Sequence, residues 1–303
     1  MEEESKQHVA LAEQGTDRRS EGPLRQAMAG ESRLFEGKPP LLALQLSASY
    51  PGKGDVLRQL RLEMQPGETL GLVGESGSGK STLALSILRL LDLKGGKVTG
   101  SVRLNGRELM MLSDSEMREI RGRDIGLILQ SPMSSLNPAL KIGTQMYETW
   151  RAHKAGSRKE CTPRFLELLR TLNLDADGNF LERKPSQLSV GQAQRVLIAM
   201  AVLHHPALLL ADECTSSLDL ITQKEVLNIF RRLSQEMGTG ILFISHDLLA
   251  VSSLCHRVAI LRNGELVEIG LTKEILTHPQ HPYTKQLVAA LPVPEALVDP
   301  GAR

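Results

Sequence analysis

Between Thr69 and Leu93 the chain passes from a short apolar stretch, Thr69 to Val73, through Gly74, Glu75, Ser76, Gly77, Ser78, Gly79, Lys80, Ser81 and Thr82. It then enters a segment with Leu83, Ile87, Leu88 and Leu91 at helical spacing. A buried strand, a glycine-rich turn and a helix in that order form the context of a phosphate-binding loop, and they point to an α/β fold. Glycines let backbone N–H groups converge on phosphate oxygens with no Cβ in the way, and the helix start adds the positive end of its dipole. On this pattern Lys80 reaches the β- and γ-phosphates and Ser81 ligates Mg²⁺, so a nucleoside triphosphate is the expected ligand.

Composition narrows the alternatives. The 303 residues are 41% hydrophobic, enough for one large or two modest globular domains. A formal net charge of +1 and an aromatic content of 3% supply neither the field nor the stacking platforms of a nucleic-acid binder, so no nucleic-acid partner is expected. Cys161, Cys214 and Cys255 are scattered and unpaired by any Cys-x-x-Cys spacing, which fits a reducing compartment without disulfides or zinc. No apolar run approaches the roughly 20 residues of a membrane span, and the acidic start carries no export signal.

Along the chain, residues 1–40 are polar and mixed in charge, the composition of a disordered leader. Strand-like pieces follow at Leu41 to Ser49, Val56 to Met64 and Val98 to Leu104, the last closing on an Asn105-Gly106 turn, and they predict an antiparallel sheet beside the loop. From about 137 to 190 the pattern is helical, with Thr162-Pro163 as the expected cap and first position of a helix bearing Phe165, Leu166, Leu168, Leu169 and Leu172. Strands return at Ala207 to Ala211 and Ile241 to Ser245 around an amphipathic helix, a βαβ arrangement that predicts a parallel core sheet. Val258 to Leu261 and Leu266 to Ile269 flank Asn263-Gly264 as a hairpin, and a Pro/His-rich linker leads to a last helix around Tyr283 to Leu291. His204-His205 is expected as a loop with solvated rings, and His278 and His281 as linker residues rather than metal ligands.

The run ending at Ala211 delivers Asp212 and Glu213 to the carboxyl end of a buried strand, where open α/β sheets place their ligands. Asp212 there suits Mg²⁺, and Glu213 suits orienting and deprotonating an attacking water.

With those residues in place the chain resembles the ATP-binding cassette ATPases over about Leu41 to Pro292. Gln130, opening Gln-Ser-Pro-Met-Ser-Ser-Leu-Asn-Pro, is similar to that family's glutamine loop, and Leu188-Ser-Val-Gly-Gln192 to its signature sequence. Ser217-Leu-Asp219 resembles the D-loop, His246 in Ile-Ser-His-Asp the switch histidine, and Tyr50 the aromatic residue set against adenine. The resemblance implies a P-loop NTPase (RecA-like) α/β core sheet with an antiparallel β subdomain and an inserted helical subdomain. It also implies ATP and Mg²⁺ as cofactors, with Gln130 and His246 beside Glu213 in catalysis and Ser81, Gln130 and Asp212 around the metal.

Ser189, Gly191 and Gln192 open an apolar helix, a second helix start able to receive negative charge. One phosphate loop and one such start occupy separate parts of the chain, so the resemblance implies a second ATPase subunit that completes each site. Val190 and Cys214 depart from the family's usual glycine and proline, which leaves a binding-only subunit open as a reading.

Within the family, Arg121 to Pro138 and His278-Pro-Gln-His-Pro-Tyr-Thr284 resemble the subgroup serving peptide and nickel importers, and no cysteine cluster follows, as in its shorter, nickel-type members. Residues 41–275 then form the cassette and 276–303 a carboxyl-terminal extension. Expected partners are membrane permeases and, indirectly, a solute-binding protein, with the chain peripheral on the cytoplasmic face of the inner membrane. A non-transport cassette that uses ATP-driven dimerisation for regulation or for nucleic-acid or translation work is the alternative.

Overall fold

The computed structural model describes residues 39–52 and 54–291; the expectations for residues 1–38, Pro292 and 293–303 lie outside the described residues. In chain order the elements begin with β1 (Leu42–Tyr50), β2 (Gly54–Met64), β3 (Thr69–Val73), α1 (Lys80–Ile87), β4 (Lys97–Leu104), β5 (Arg107–Glu108), α2 (Asp114–Ile120) and β6 (Ile125–Ile128). A run of helices follows: α3 (Pro132–Ser135), α4 (Ile142–Arg151), α5 (Arg158–Thr171), α6 (Gly178–Glu182) and α7 (Val190–Val202). The chain continues through β7 (Leu208–Asp212), α8 (Leu220–Met237), β8 (Gly240–Ser245), α9 (Leu248–Leu254), β9 (Arg257–Arg262), β10 (Glu265–Leu271), α10 (Thr272–Thr277) and α11 (Pro282–Ala289).

Two sheets result. One is antiparallel in the order β2-β1-β4-β5; the other has the order β10-β9-β3-β8-β7-β6, parallel except for β10. This is the α/β architecture expected from the phosphate-loop motif. Every residue of β3, β7 and β8 is buried, which is why these strands appear in the sequence as continuous apolar runs rather than alternating ones. Alternation survives in their packing. Leu208, Leu210, Leu242 and Ile244 join Leu83, Ala84 and Ile87 of α1 and the antiparallel sheet in one core, while Leu209, Ala211, Ile241 and Phe243 face α7, α8 and α9 in another. The core sheet is thus clamped on both faces, and the carboxyl ends of β3, β6, β7 and β8 are held in one row.

Two helix boundaries differ from the sequence expectation. α1 stops at Ile87 rather than running to Leu93, because Arg89 takes a positive φ of 50° and Leu90 N–H closes back to Leu85 O at 2.8 Å. Arg121 seals that end by donating to the carbonyls of Leu88 and Arg89, at 2.8 and 3.1 Å. α5 starts at Arg158, not after Thr162. Ser157 and Glu160 form a capping box that satisfies two helix-start amides, so Pro163 falls inside the helix, where it removes one backbone bond.

Candidate functional site

The loop after β3 is shaped by contacts on its outer side. A Cβ on Gly74 would stand 2.2 Å from the Leu261 carbonyl oxygen of β9, so only glycine lets the loop start this close to the neighbouring strand. Gly79 precedes α1 with φ 110°, a conformation that L side chains rarely adopt. Ser78 N–H closes a turn on Glu75 O at 3.1 Å, and Ser78 O accepts from Gly264 N–H of the β9–β10 turn at 3.1 Å. Lys80 is 4% exposed, and its ammonium donates to the carbonyls of Gly74 and Glu75 at 2.8 and 2.9 Å.

An open cleft lies over this loop, lined by Ser76, Gly77, Gly79, Lys80, Ser81 and Thr82 together with Tyr50, Pro51, Gln130 and Glu213. Gly74, Glu75 and Ser78 do not line it. The Glu75 amide donates to Tyr283 Oη at 3.1 Å, inside the fold. Lys94 and Gly95 line the cleft beside Tyr50. The sequence offered no signal for them, since they belong to a short 3₁₀ turn and its cap.

Glu213 is the meeting point of three strand ends. It follows β7 with φ 48°, a sparsely populated conformation for a residue with a side chain. Its Oε1 lies 3.7 Å from Lys80 Nζ, its Oε2 accepts from Gln130 Nε2 at 3.2 Å, and the same Oε2 is 3.6 Å from His246 Nδ1. Gln130 follows β6 and His246 follows β8, so β6, β7 and β8 each contribute one group. Such an arrangement can orient a water and accept its proton at Glu213 while amide and imidazole donors face the developing charge.

Asp212, the last residue of β7, is 7% exposed, with the Ser81 hydroxyl beside its carboxyl. Burial pushes its carboxyl above the ordinary range, with the Ser81 hydrogen bond opposing the shift. Its Oδ1 is buried with no hydrogen-bond partner among the described residues. An orphaned carboxylate oxygen next to a serine hydroxyl, at the edge of a phosphate loop, is a donor set that fits a hard cation such as Mg²⁺.

Ser189, Gly191, Gln192 and Asp219 do not line this cleft. Ser189 and Gln192 form a capping box at the start of α7, with Gln192 N–H on Ser189 Oγ at 3.2 Å and Ser189 N–H on Gln192 Oε1 at 3.0 Å. Asp219 caps α8, accepting from the amides of Ile221 and Thr222 and from Thr222 Oγ1. The two helix starts touch, because a Cβ on Gly191 would stand 2.6 Å from Thr222 Cγ2. Val190 is exposed at this surface.

The expectation of solvated rings at His204 and His205 holds for His205 only. His204 is 7% exposed, stacks on Trp150 at 5.8 Å, meets His153 edge-on at 5.1 Å and contacts Thr149 O at 3.0 Å. Among the described residues, no group of three or more His, Cys, Asp or Glu could hold a metal ion by itself. Nor does any helix of the described residues have the length and hydropathy to cross a membrane.

Comparison with known proteins meets this geometry from outside. Residues 57–216 match the family described as ABC transporter, and residues 267–301 match one described as Oligopeptide/dipeptide transporter, C-terminal region. The chain is 43% identical over 242 residues to the glutathione import ATP-binding protein GsiA of Escherichia coli (strain K12), and 42% identical over 244 residues to that of Salmonella typhimurium. In both cases the match takes in 78% of this chain and 39% of the relative, so the chain spans about two fifths of the length of the curated relatives it matches. Among solved structures it resembles the dimeric post-hydrolysis state of the ATP-binding cassette MJ0796 bound to ADP and Pi, with a TM-score of 0.66 and 28% identity over 76% of this chain and 98% of that one. It also shares the fold of cbiO1 from Clostridium perfringens, with a TM-score of 0.69 and 22% identity over 80% of this chain and 92% of that one.

Proposed function

The chain belongs to the ABC transporter family, and from that premise we propose that it is an ATP-binding and ATP-hydrolysing subunit of an importer for small peptides or a chemically similar solute. The observation that carries the reading is the convergence of Lys80, Gln130 and His246 on the Glu213 carboxylate. A carboxylate held among these groups at the edge of a phosphate loop suits proton abstraction from water attacking a terminal phosphate.

In this reading Tyr50 stands beside the base, and the loop from Ser76 to Thr82 wraps the phosphates. Lys80 exchanges its carbonyl partners for phosphate oxygens. Asp212 and Ser81 hold Mg²⁺, which when bound neutralises phosphate charge and fixes the terminal group for in-line attack. Glu213 takes the proton, Gln130 orients the water and His246 donates to the terminal phosphate.

A second ATPase subunit completes the site, with Ser189, Gly191, Gln192 and Asp219 contributed across the interface. Two features support this. The signature helix start does not line the cleft within its own chain, and Leu220 and Ile221, directly after Asp219, are 82% and 75% exposed, unusual for large apolar side chains unless another surface covers them. The peptide-type cargo is supported by the family match over residues 267–301 and by the names of the relatives. Docking on permeases at the cytoplasmic face of the membrane follows from the same reading.

The test is isolation of the full chain from detergent-solubilised membranes, with subunits identified by mass and ATP turnover measured. Co-purifying permeases and Mg²⁺-dependent hydrolysis are expected; a chain that turns over ATP yet brings down no membrane subunit would turn the reading toward the non-transport alternative.

A further inference from the structure

The carboxyl-terminal segment reaches the phosphate loop through one side chain. Tyr283 is 2% exposed, and its Oη accepts the Glu75 amide across 208 positions of sequence. Burial pushes the phenol above its ordinary value, with the Glu75 amide opposing the shift and the nearby Glu75 carboxylate adding to it. The ring is fixed from its other side by the Arg262 guanidinium, 4.7 Å from its centroid. Arg262 ends β9 and follows Leu261, the residue whose carbonyl abuts Gly74.

The backbone that carries Tyr283 is anchored independently of the loop. The Glu268 carboxylate of β10 accepts the amides of Gln280 and His281 at 2.8 and 3.0 Å. His281 Nδ1 in turn accepts the Tyr283 amide at 3.1 Å as the cap of α11, whose first residue is Pro282. At the loop end, Glu75 is a hub. Its N–H goes to Tyr283, while its carbonyl accepts both Ser78 N–H at 3.1 Å and Lys80 Nζ at 2.9 Å. The Gly74–Glu75 peptide plane that Tyr283 holds therefore carries one of the two carbonyls that position the ammonium, at 2.8 Å, and is adjacent to the plane that carries the other.

We propose that Tyr283 is a positioning residue for the phosphate loop: by fixing the loop at Glu75 it sets the placement of Lys80, and it links nucleotide binding to the seating of the carboxyl-terminal helix α11. The inference rests on the nucleotide-binding reading above and deepens it. Linkage is reciprocal, so a helix whose seating favours nucleotide is itself held more firmly when nucleotide is present.

The experiment uses the full chain and its Tyr283→Phe variant, which keeps the ring and its stacking on Arg262 and removes only the hydroxyl. Affinity for MgATP is expected to fall about fivefold or more, with turnover at saturation changed less than about twofold. Amide hydrogen exchange over residues 283–289 is expected to slow on adding MgATP in the wild type and to respond less in the variant. A variant with wild-type affinity overturns the proposal, and so does wild-type exchange over residues 283–289 that ignores nucleotide, a measurement that decides the matter even if the variant folds poorly. A wild-type chain that binds no MgATP would instead remove the functional reading, and this inference with it.

Discussion

Lys80 Nζ stands 3.7 Å from Glu213 Oε1 while it donates to two carbonyls of its own loop, so one ammonium ties the end of β3 to the end of β7 across the intervening strand β8. The pair is partly open to solvent on the Glu213 side, which keeps its contribution to stability small. Its weight is in chemistry: in the proposed function the same two side chains would face a nucleotide from the phosphate side and from the water side.

Replacing the base should separate binding from turnover. Glu213→Gln keeps the size and the backbone placement but cannot accept a proton. MgATP affinity should stay within a few-fold of wild type while single-turnover hydrolysis slows by about 10²–10⁴-fold. Hydrolysis at the wild-type rate would assign the proton to another group.

Asp212 should be a group that stability and function pull in opposite directions. Its folded pKa is raised above the usual 3.8 by burial, so the folded chain holds that proton to higher pH than the unfolded chain does. Stability is then lost as pH rises through that window, and at neutral pH the buried charge is a net cost. Asp212→Asn should raise the melting temperature of the ligand-free chain at pH 7 by a few degrees, on the order of 1 kcal/mol. The same variant should gain much less than wild type from added MgATP, and thermal melts with and without nucleotide measure both halves. An equal gain in the two proteins would remove Asp212 from the metal site.

Gly191 should be required because of one methyl group. Gly191→Ala places a Cβ 2.6 Å from Thr222 Cγ2, and relieving that overlap is expected to cost about 1–3 kcal/mol. Thr222→Ser removes the methyl and keeps the hydroxyl that Asp219 accepts. In a Thr222→Ser background the alanine should therefore cost much less, and urea melts of the double-mutant cycle report the difference. Additive effects would show that Thr222 is not what confines Gly191.

His204 should make stability sensitive to mild acid. Burial lowers its pKa below 6.5, with the Thr149 carbonyl opposing the shift, and it faces His153, Lys154 and His205; Glu119 lies 4.0 Å from the far side of His153. The unfolded chain takes up a proton near pH 6.5 that the folded chain refuses, so this stabilisation is complete above that pH and is lost as pH falls below it. Thermal melts between about pH 7 and 5 should fall more steeply for wild type than for His204→Gln. Parallel curves would mean that His204 protonates as easily folded as unfolded.

The phosphate loop, the strand before it and the carboxylates at Asp212 and Glu213 were legible in the sequence because each depends on neighbours a few positions away: glycines between an apolar run and a helix, acids at the end of an apolar run. Gln130 and His246 were placed by resemblance, and the distances to Glu213 give them a physical role. What the sequence hid depends on remote partners. The end of α1 is sealed by Arg121, more than 30 positions downstream, and His204, in the turn after α7, is buried against Trp150 of α4. Tyr283 was expected to open the last helix, and nothing local tells that its hydroxyl meets an amide at Glu75. The start of α5 is a different kind of miss: two local signals competed, and the capping box at Ser157 outweighed the proline.

The middle position of β3 in its sheet has a consequence for biosynthesis. Its pairing partners are β8 at residues 240–245 and β9 at residues 257–262. Once residue 73 has been made, roughly 190 more must follow before both flanks exist, a delay of about 10–40 s at ordinary rates of translation. During that interval both edges of an apolar strand lack their permanent neighbours. Nascent chains halted before residue 240 should accordingly be strong clients for chaperones, and the ability to grip a ligand should emerge late and abruptly rather than in stages.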